Sequence, residues 1–573
     1  MKHRFGRFKK LNERGKRSLK TIPLHSRFLL LTFVLCLAPG HECQAQGDTL
    51  RPVPDEIRFE ACLPNQNDIG HPLPLAAHWN TGQVKDGFAP KYQMEMIKQG
   101  HFLLPWFQLR DPNDKPLDND YYEGPMKWAA QVGLPISFLG TQWERLLTTS
   151  PEFSKLPLDK NPNVIDLNGK VLPSVCPFGP VELWREAGRE WTSTPIIKKL
   201  QEIYPNPPLV LFVSNNEHGK LQWEDAEGSL RYLARYGKGK DDSFKRKVIG
   251  DGWIERYRAL QEGMRERLIA KSWKDKALFM GYDAFGGPAF ARWGGWIKYS
   301  LYTPGRFEPW PLAWDGASVS FYVHNWNAST DFTVWSPQVE SMNWVFMQKE
   351  AQRMNPGFWF EISTWDGHEQ AKDNDKRKYY AKLGQAYNPE RYAGMVQFGM
   401  WLLRPRVVRE FRDSIETVAQ EGHYFLAIVD AVDAVHNNAV LRRFWRRGQL
   451  VANTAHPHPY QADVPEEYQN AERWFLLDSN LDPVRPWNLG TQLPVYSLAL
   501  ALGNSPEREW LVYAYSPLAQ RSNASLSLPG YGPISVDAGP AGVFYEVMEK
   551  NHSINRVSLS HSPPNMSVSD PEK

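Results

Sequence analysis

Cysteine is scarce in this chain: four residues in 573, two of which, Cys36 and Cys43, fall within the first 45 positions. A disulfide-stapled scaffold is thereby excluded, and the fold must rest on a hydrophobic core, for which the length is ample. Spacing does not fix whether Cys62 and Cys176 pair, because sequence supplies no geometry. Compact metal-ligand spacing is missing as well. Asp111-Pro-Asn-Asp114 and Asp118-Asn-Asp120 resemble a calcium loop in composition only. There is no Gly-rich phosphate loop after a strand and no Gly-x-Ser-x-Gly elbow. No metal and no cofactor are expected, and no internal repeat of a solenoid period is present.

Charge of one sign is also lacking except at the start. The whole chain is +3, yet its first 27 residues hold ten Lys/Arg against the single acid Glu13. A nucleic-acid-binding arm is one reading of such a cluster. The apolar run 28–37 follows at once, then Pro39-Gly40 and small residues near Ala45, and that order describes a secretory signal peptide over 1–45. The run is well short of the roughly 20 residues needed to span a bilayer. A lipid anchor on Cys43 is disfavoured by Glu42, a carboxylate where a lipoprotein signal has a small residue. With the leader removed the remainder is net acidic, so neither a nucleic-acid partner nor a membrane partner is expected, and the chain is expected to be exported.

What is present is an ordinary globular composition, 42% hydrophobic and 23% charged, with 23 tryptophans as its outlier. Short apolar runs at 73–77, 102–107, 134–139, 209–213, 277–281, 317–321, 358–360 and 395–400 each end in polar or aromatic residues. They alternate with helical stretches at 181–203, 253–273 and 339–354 and with the charged stretch 370–387. Eight strands interleaved with helices predict an α/β fold, a (β/α)8 TIM barrel over 70–418, whose strand ends gather at one rim. A lead-in covers 46–69, and a helical and irregular region covers 419–493, including an aliphatic stripe at 424–435 that suits core packing. The short runs 510–515, 524–528, 534–536 and 543–547 predict a small C-terminal all-β sandwich over 494–550, followed by a Ser/Pro/Asn-rich tail over 551–573.

Two of the apolar runs carry isolated carboxylates. Leu209-Val-Leu-Phe-Val-Ser-Asn-Asn-Glu-His218 places Glu217 just past the fourth strand, and Gly357-Phe-Trp-Phe-Glu-Ile-Ser-Thr-Trp-Asp-Gly367 places Glu361 on the seventh. Two carboxylates from different strands of one barrel meet the need of glycoside cleavage, a proton donor and a partner that attacks the anomeric carbon or activates water. Plainer readings stand beside this one. Glu217 would equally cap a helix at its positive end, and Glu361 would equally form a structural salt bridge. Asp283, Glu144 and Asp366 are fallback carboxylates.

With Asn216-Glu217 after strand four and Glu361 on strand seven, the chain resembles the retaining glycoside hydrolases of clan A, which share the (β/α)8 barrel. The resemblance spans about 345 residues in architecture, but its motif is three residues long. It implies Asn216 on the sugar 2-hydroxyl, Glu217 as acid/base and Glu361 as nucleophile. It also implies a Tyr on strand six that orients the nucleophile; here Tyr322 and His324 occur in the opposite order to the usual one. Candidate substrate contacts at strand ends are His78, Trp79, Arg110, Trp143, Tyr282, Tyr322, His324, Trp365 and Trp401, with Trp106 and Trp326 as further aromatic candidates. The flat rings suit the apolar faces of pyranoses, although any one of them would also serve a core. The expected function is a retaining hydrolase of β-linked oligo- or polysaccharide. An inverting enzyme using Asp283 or Glu144, or a barrel that binds carbohydrate without cleaving it, are the alternatives.

Overall fold

The computed structural model describes residues 74–78, 94, 96–98, 100–109, 119–140, 155–214, 220–281, 310–322, 348, 351–352, 354–365, 390–410, 418–451, 474–478, 495–516 and 520–559. All belong to one compact unit within 47–573. Eight parallel strands make its centre: β1 (Leu75–His78), β2 (Trp106–Leu109), β3 (Ile136–Gly140), β6 (Val210–Ser214), β7 (Ala277–Gly281), β8 (Gly316–Tyr322), β9 (Trp359–Trp365) and β10 (Val407–Glu410). Between β3 and β6 the chain inserts a hairpin of β4 (Asn163–Ile165) and β5 (Val171–Val175). The hydrogen-bonded order β1-β10-β9-β8-β7-β6-β3-β2 follows the chain round once. A parallel bridge between Ala76 and Leu103, with Leu104 N–H donating to the Ala76 carbonyl at 2.8 Å, draws the two edges together. The architecture is a (β/α)8 barrel.

Alternation along the strands sorts each residue to one face. On the outer face Phe107, Phe138, Phe212 and Phe279 form a stacked ladder across β2, β3, β6 and β7, with successive ring centroids 5.3, 5.5 and 5.6 Å apart. Trp191 and Trp273 from surrounding helices close on this ladder at 5.4 and 5.6 Å. The inner face is unusual for a barrel, since Ser137, Ser318, Glu361, Ser363 and Arg409 are all buried. Those residues alternate with the outward-facing ones, so the polar layer lies inside the barrel rather than under the helices.

The expected eighth strand is a correction. Residues 395–400 lie in the helix Glu390–Leu403, and the eighth strand is β10, a few residues later. The helix is apolar nearly all round because its inner face meets the barrel and its outer face meets the C-terminal sheet, so Met395, Val396, Phe398, Met400, Trp401 and Leu402 are all buried. A continuous apolar run has no period by which to tell a buried helix from a buried strand.

The helix Val418–Asn437 packs on β1 and β10, and the helix Ala439–Arg447 follows it. Beyond them lies a six-stranded antiparallel sheet: β11 (Gln449–Leu450), β12 (Leu476–Leu477), β13 (Tyr496–Leu502), β14 (Glu509–Tyr515), β17 (Val543–Met548) and β18 (Ser553–Arg556). The pair β15 (Arg521–Leu528) and β16 (Gly532–Ala538) packs across it through Leu526, Val536, Trp510 and Val512. This matches the all-β layer expected there. Strand β18 falls in the stretch expected to be tail, because it pairs with β17 through four register positions.

Candidate functional site

Glu361 is the third residue of β9, on the face that looks into the barrel. An isolated carboxylate there would be too poorly solvated to stay charged. Its solution is a fork of hydrogen bonds from the next strand. Arg409 Nε donates to Oε2 at 2.5 Å and Nη2 donates to Oε1 at 3.1 Å, with both side chains 0% exposed. Trp359 Nε1, two residues back on the same face, donates to Oε1 at 2.9 Å. Oε1 therefore takes two hydrogen bonds and Oε2 one from the described residues.

Arg409 is held in turn. Its guanidinium lies 4.6 Å from the centroid of the Trp106 ring on β2, and Nη1 donates to Ser137 Oγ on β3 at 3.5 Å. Charge over an aromatic face is favourable, more so where water is excluded. A second guanidinium, Arg406, lies 4.5 Å over the Trp359 ring, and burial pushes its pKa well below the ordinary value. These contacts link one carboxylate, two guanidinium groups and two indoles in a chain. In register, Glu361 is flanked by Val407 on β10 and Ser318 on β8. Ser318 Oγ is buried, with no hydrogen-bond partner among the described residues.

Strand register also relocates Tyr322. It is the partner of Trp365, while Glu361 pairs with Ser318 four residues earlier, about 13 Å along the strand. The residue beside Glu361 on the sixth strand is thus a serine. The backbones of His78, Tyr322 and Trp365 end their strands at the same C-terminal rim. Asn216, Glu217, Trp79, Arg110, Trp143, Tyr282 and His324 lie outside the described residues, as do the fallback carboxylates Glu144, Asp283 and Asp366. Their strands are described as far as Ser214, His78, Leu109, Gly140, Gly281, Tyr322 and Trp365.

Trp401 is a correction among the substrate contacts. It sits in the helix Glu390–Leu403, wholly buried, edge-on to Trp445 and Phe544 at 5.3 Å each, with Nε1 donating to Gln397 Oε1 at 3.1 Å. It is core between barrel and C-terminal sheet and meets no rim. Trp106 is likewise inside the barrel, under Arg409. Cys176 is a buried free thiol, and Cys62 lies outside the described residues. Among the described residues no group of His, Cys, Asp and Glu is placed to hold a metal ion.

Sequence reasoning missed Arg409. Its signal was available, since a lone Arg ending the β-branched pair Val407-Val408 has to find a counter-charge if that pair is a buried strand.

No family model matches the chain, and no curated protein does. Similar solved structures include a GH36 alpha-galactosidase from Geobacillus stearothermophilus in complex with raffinose, at 9% identity over 86% of this chain and 54% of that one, TM-score 0.33. An agarase is similar at 12% identity over 62% and 49%, TM-score 0.31. The PgaB glycoside hydrolase domain from Bordetella bronchiseptica is similar at 11% identity over 64% and 99%, TM-score 0.34. The chain spans about half the length of the first two.

Proposed function

We propose that this chain is an exported glycoside hydrolase that cleaves β-linked oligo- or polysaccharide with retention, using Glu361 as nucleophile and Glu217 as acid/base. The observation that supports this most is the state of Glu361: a carboxylate on the seventh barrel strand, held by both arms of Arg409. A nucleophile of this kind has to be fixed in orientation, and the guanidinium fork fixes it. Oε2, which takes the single hydrogen bond, has a lone pair left for the anomeric carbon. In the first step Oε2 bonds to that carbon while the glycosidic C–O bond breaks and Glu217 gives its proton to the departing oxygen. In the second, Glu217 takes a proton from water, the water oxygen bonds to the anomeric carbon, and the Glu361 ester opens. Turnover requires an opening above Glu361, which is wholly buried in the structure. Export rests on the leader pattern in 1–45; no helix among the described residues is long and apolar enough to cross a membrane.

That complete burial favours a second reading, in which the Glu361–Arg409 pair only braces the barrel interior, and either another carboxylate pair acts or glycan is bound without cleavage. Time-resolved proton NMR on a panel of β-linked polysaccharides, with wild type, Glu217→Gln and Glu361→Gln compared, decides between them. The proposal expects the β-anomer first from wild type and no product from either variant with its circular dichroism intact. Undiminished activity in folded Glu361→Gln would establish the bracing reading; an α-anomer formed first would replace retention by inversion.

A further inference from the structure

Resting on the glycosidase reading, we infer that Ser318 is a substrate-binding residue. Its hydroxyl shares a hydrogen bond with a ring hydroxyl of the sugar bonded to Glu361, and so selects sugars that carry that hydroxyl free. The register of β8 against β9 places Ser318 directly beside Glu361, and neighbouring strands lie about 4.8 Å apart. Two residues earlier on the same strands Gly316 stands beside Trp359, whose Nε1 donates to Glu361 Oε1. Side chains two apart share a face, so Ser318 and Glu361 both look into the barrel. Ser318 is 0% exposed, and its Oγ has no hydrogen-bond partner among the described residues.

A buried hydroxyl without a partner is unfavourable and uncommon in a folded chain. Its place beside the proposed nucleophile gives it a use, with the sugar itself as the partner. The direction of approach is set from below. A Cβ at Gly316 would overlap the Trp359 carbonyl and the Met280 sulfur, so the layer toward the N-terminal ends of the strands is tightly packed. A sugar therefore reaches Glu361 from the C-terminal ends, where barrel enzymes hold their substrates, and the opening that admits it to Glu361 admits it to Ser318. Branched aliphatic side chains usually fill a barrel interior; serine at this position supplies a hydroxyl where they would supply none. That hydroxyl both donates and accepts, which matches a sugar hydroxyl in either sense. A site built to hydrogen-bond a hydroxyl rejects the analogue lacking it far more strongly than an apolar site rejects a missing methylene. A sugar sulfated or deoxygenated at that carbon is accordingly a poor substrate.

The test measures kcat/KM of wild type, Ser318→Ala and Glu361→Gln on the 4-nitrophenyl β-glycosides of galactose, glucose, mannose and xylose, then on the monodeoxy forms of the sugar that wild type cleaves. Ser318→Ala is expected to lower kcat/KM by about 10- to 100-fold on the parent sugar. Its thermal midpoint should stay level or rise, since a hydroxyl without a partner has been removed. On one monodeoxy sugar wild type and Ser318→Ala should be equally slow, because the missing hydroxyl is the one Ser318 holds; on the others the gap should remain. Ser318→Cys, which keeps the size of the side chain but donates only weakly, should resemble Ser318→Ala and serves if that variant does not fold. A folded Ser318→Ala as active as wild type, or slower by the same factor on every sugar, marks a packing role or a bound water. Either result, with wild type active and Glu361→Gln inactive, overturns the role of Ser318 and leaves the nucleophile in place. An active Glu361→Gln, or a wild type inert towards every glycoside, overturns the reading beneath it and this inference with it.

Discussion

Glu361 and Arg409 are both 0% exposed and form a buried ion pair. Replacing one partner by alanine should lower the unfolding free energy by about 3–5 kcal/mol, whereas replacing both with apolar residues of similar volume should restore most of it. Urea denaturation of Glu361→Ala, Arg409→Ala and an Glu361→Leu/Arg409→Met double variant measures this; single variants as stable as wild type would mean that the pair is solvated. A second buried group responds to pH. His436 donates from Nε2 to the Pro74 carbonyl at 2.9 Å beneath the Phe102 ring, and burial pushes its pKa down to about 4. The folded chain then binds fewer protons than the unfolded one between the ordinary imidazole value near 6.5 and about 4. Its contribution is complete above about pH 6.5 and falls by roughly 3 kcal/mol as the pH drops to about 4. Unfolding free energies measured across that window should be flatter in His436→Gln, and an unchanged slope would refute the assignment.

Helices are placed by close contacts that only glycine allows. The helices Val181–Thr192 and Asp242–Arg267 cross where Gly188 faces Leu260 and Gly263 faces Arg185, and a Cβ at either glycine would overlap the opposing backbone carbonyl. Gly394 does the same for the helix Glu390–Leu403 against Tyr515 of β14 and Pro540 in the turn between β16 and β17. Alanine normally stabilises a helix over glycine, so the sign of the effect is diagnostic. Gly188→Ala and Gly394→Ala should each destabilise by about 1–3 kcal/mol when followed by thermal melting. Gly228→Ala, where a Cβ meets nothing within 4 Å, should not. The exposed bridges Arg185–Glu262 and Arg189–Glu266, at 2.9 and 2.6 Å, add little to the same crossing, being open to solvent.

Barrel and C-terminal sheet share one hydrophobic core. Phe398 and Trp401 of the barrel helix pack with Tyr496, Tyr513, Tyr515 and Phe544 of the sheet, and Tyr513 Oη donates to the Gly394 carbonyl at 2.8 Å. Truncation after residue 493 would bare this surface, and a freshly exposed apolar patch of that kind favours aggregation. A chain of 47–493 should be insoluble or lack native circular dichroism, while soluble, cooperatively melting material would show that the barrel stands alone.

Seven of the eight barrel strands were legible in the sequence, because a parallel strand buried on both faces reads as a short, largely apolar run. The same fact concealed the eighth. The run 395–400 is apolar all round for a tertiary reason, a second sheet covering its outer side, and the chain offers no local sign of that cover. Glu361 stood out because a carboxylate amid aromatic residues is unusual, and sequence could go that far. That its counter-charge is Arg409, 48 residues away on the adjacent strand, was settled by register. Register likewise paired Glu361 with Ser318 and set Tyr322 four residues further along. The order of strands follows from apolar pattern, which is local chemistry. The partners of a buried charge follow from which strands lie side by side and in what stagger, and those are properties of the closed barrel alone.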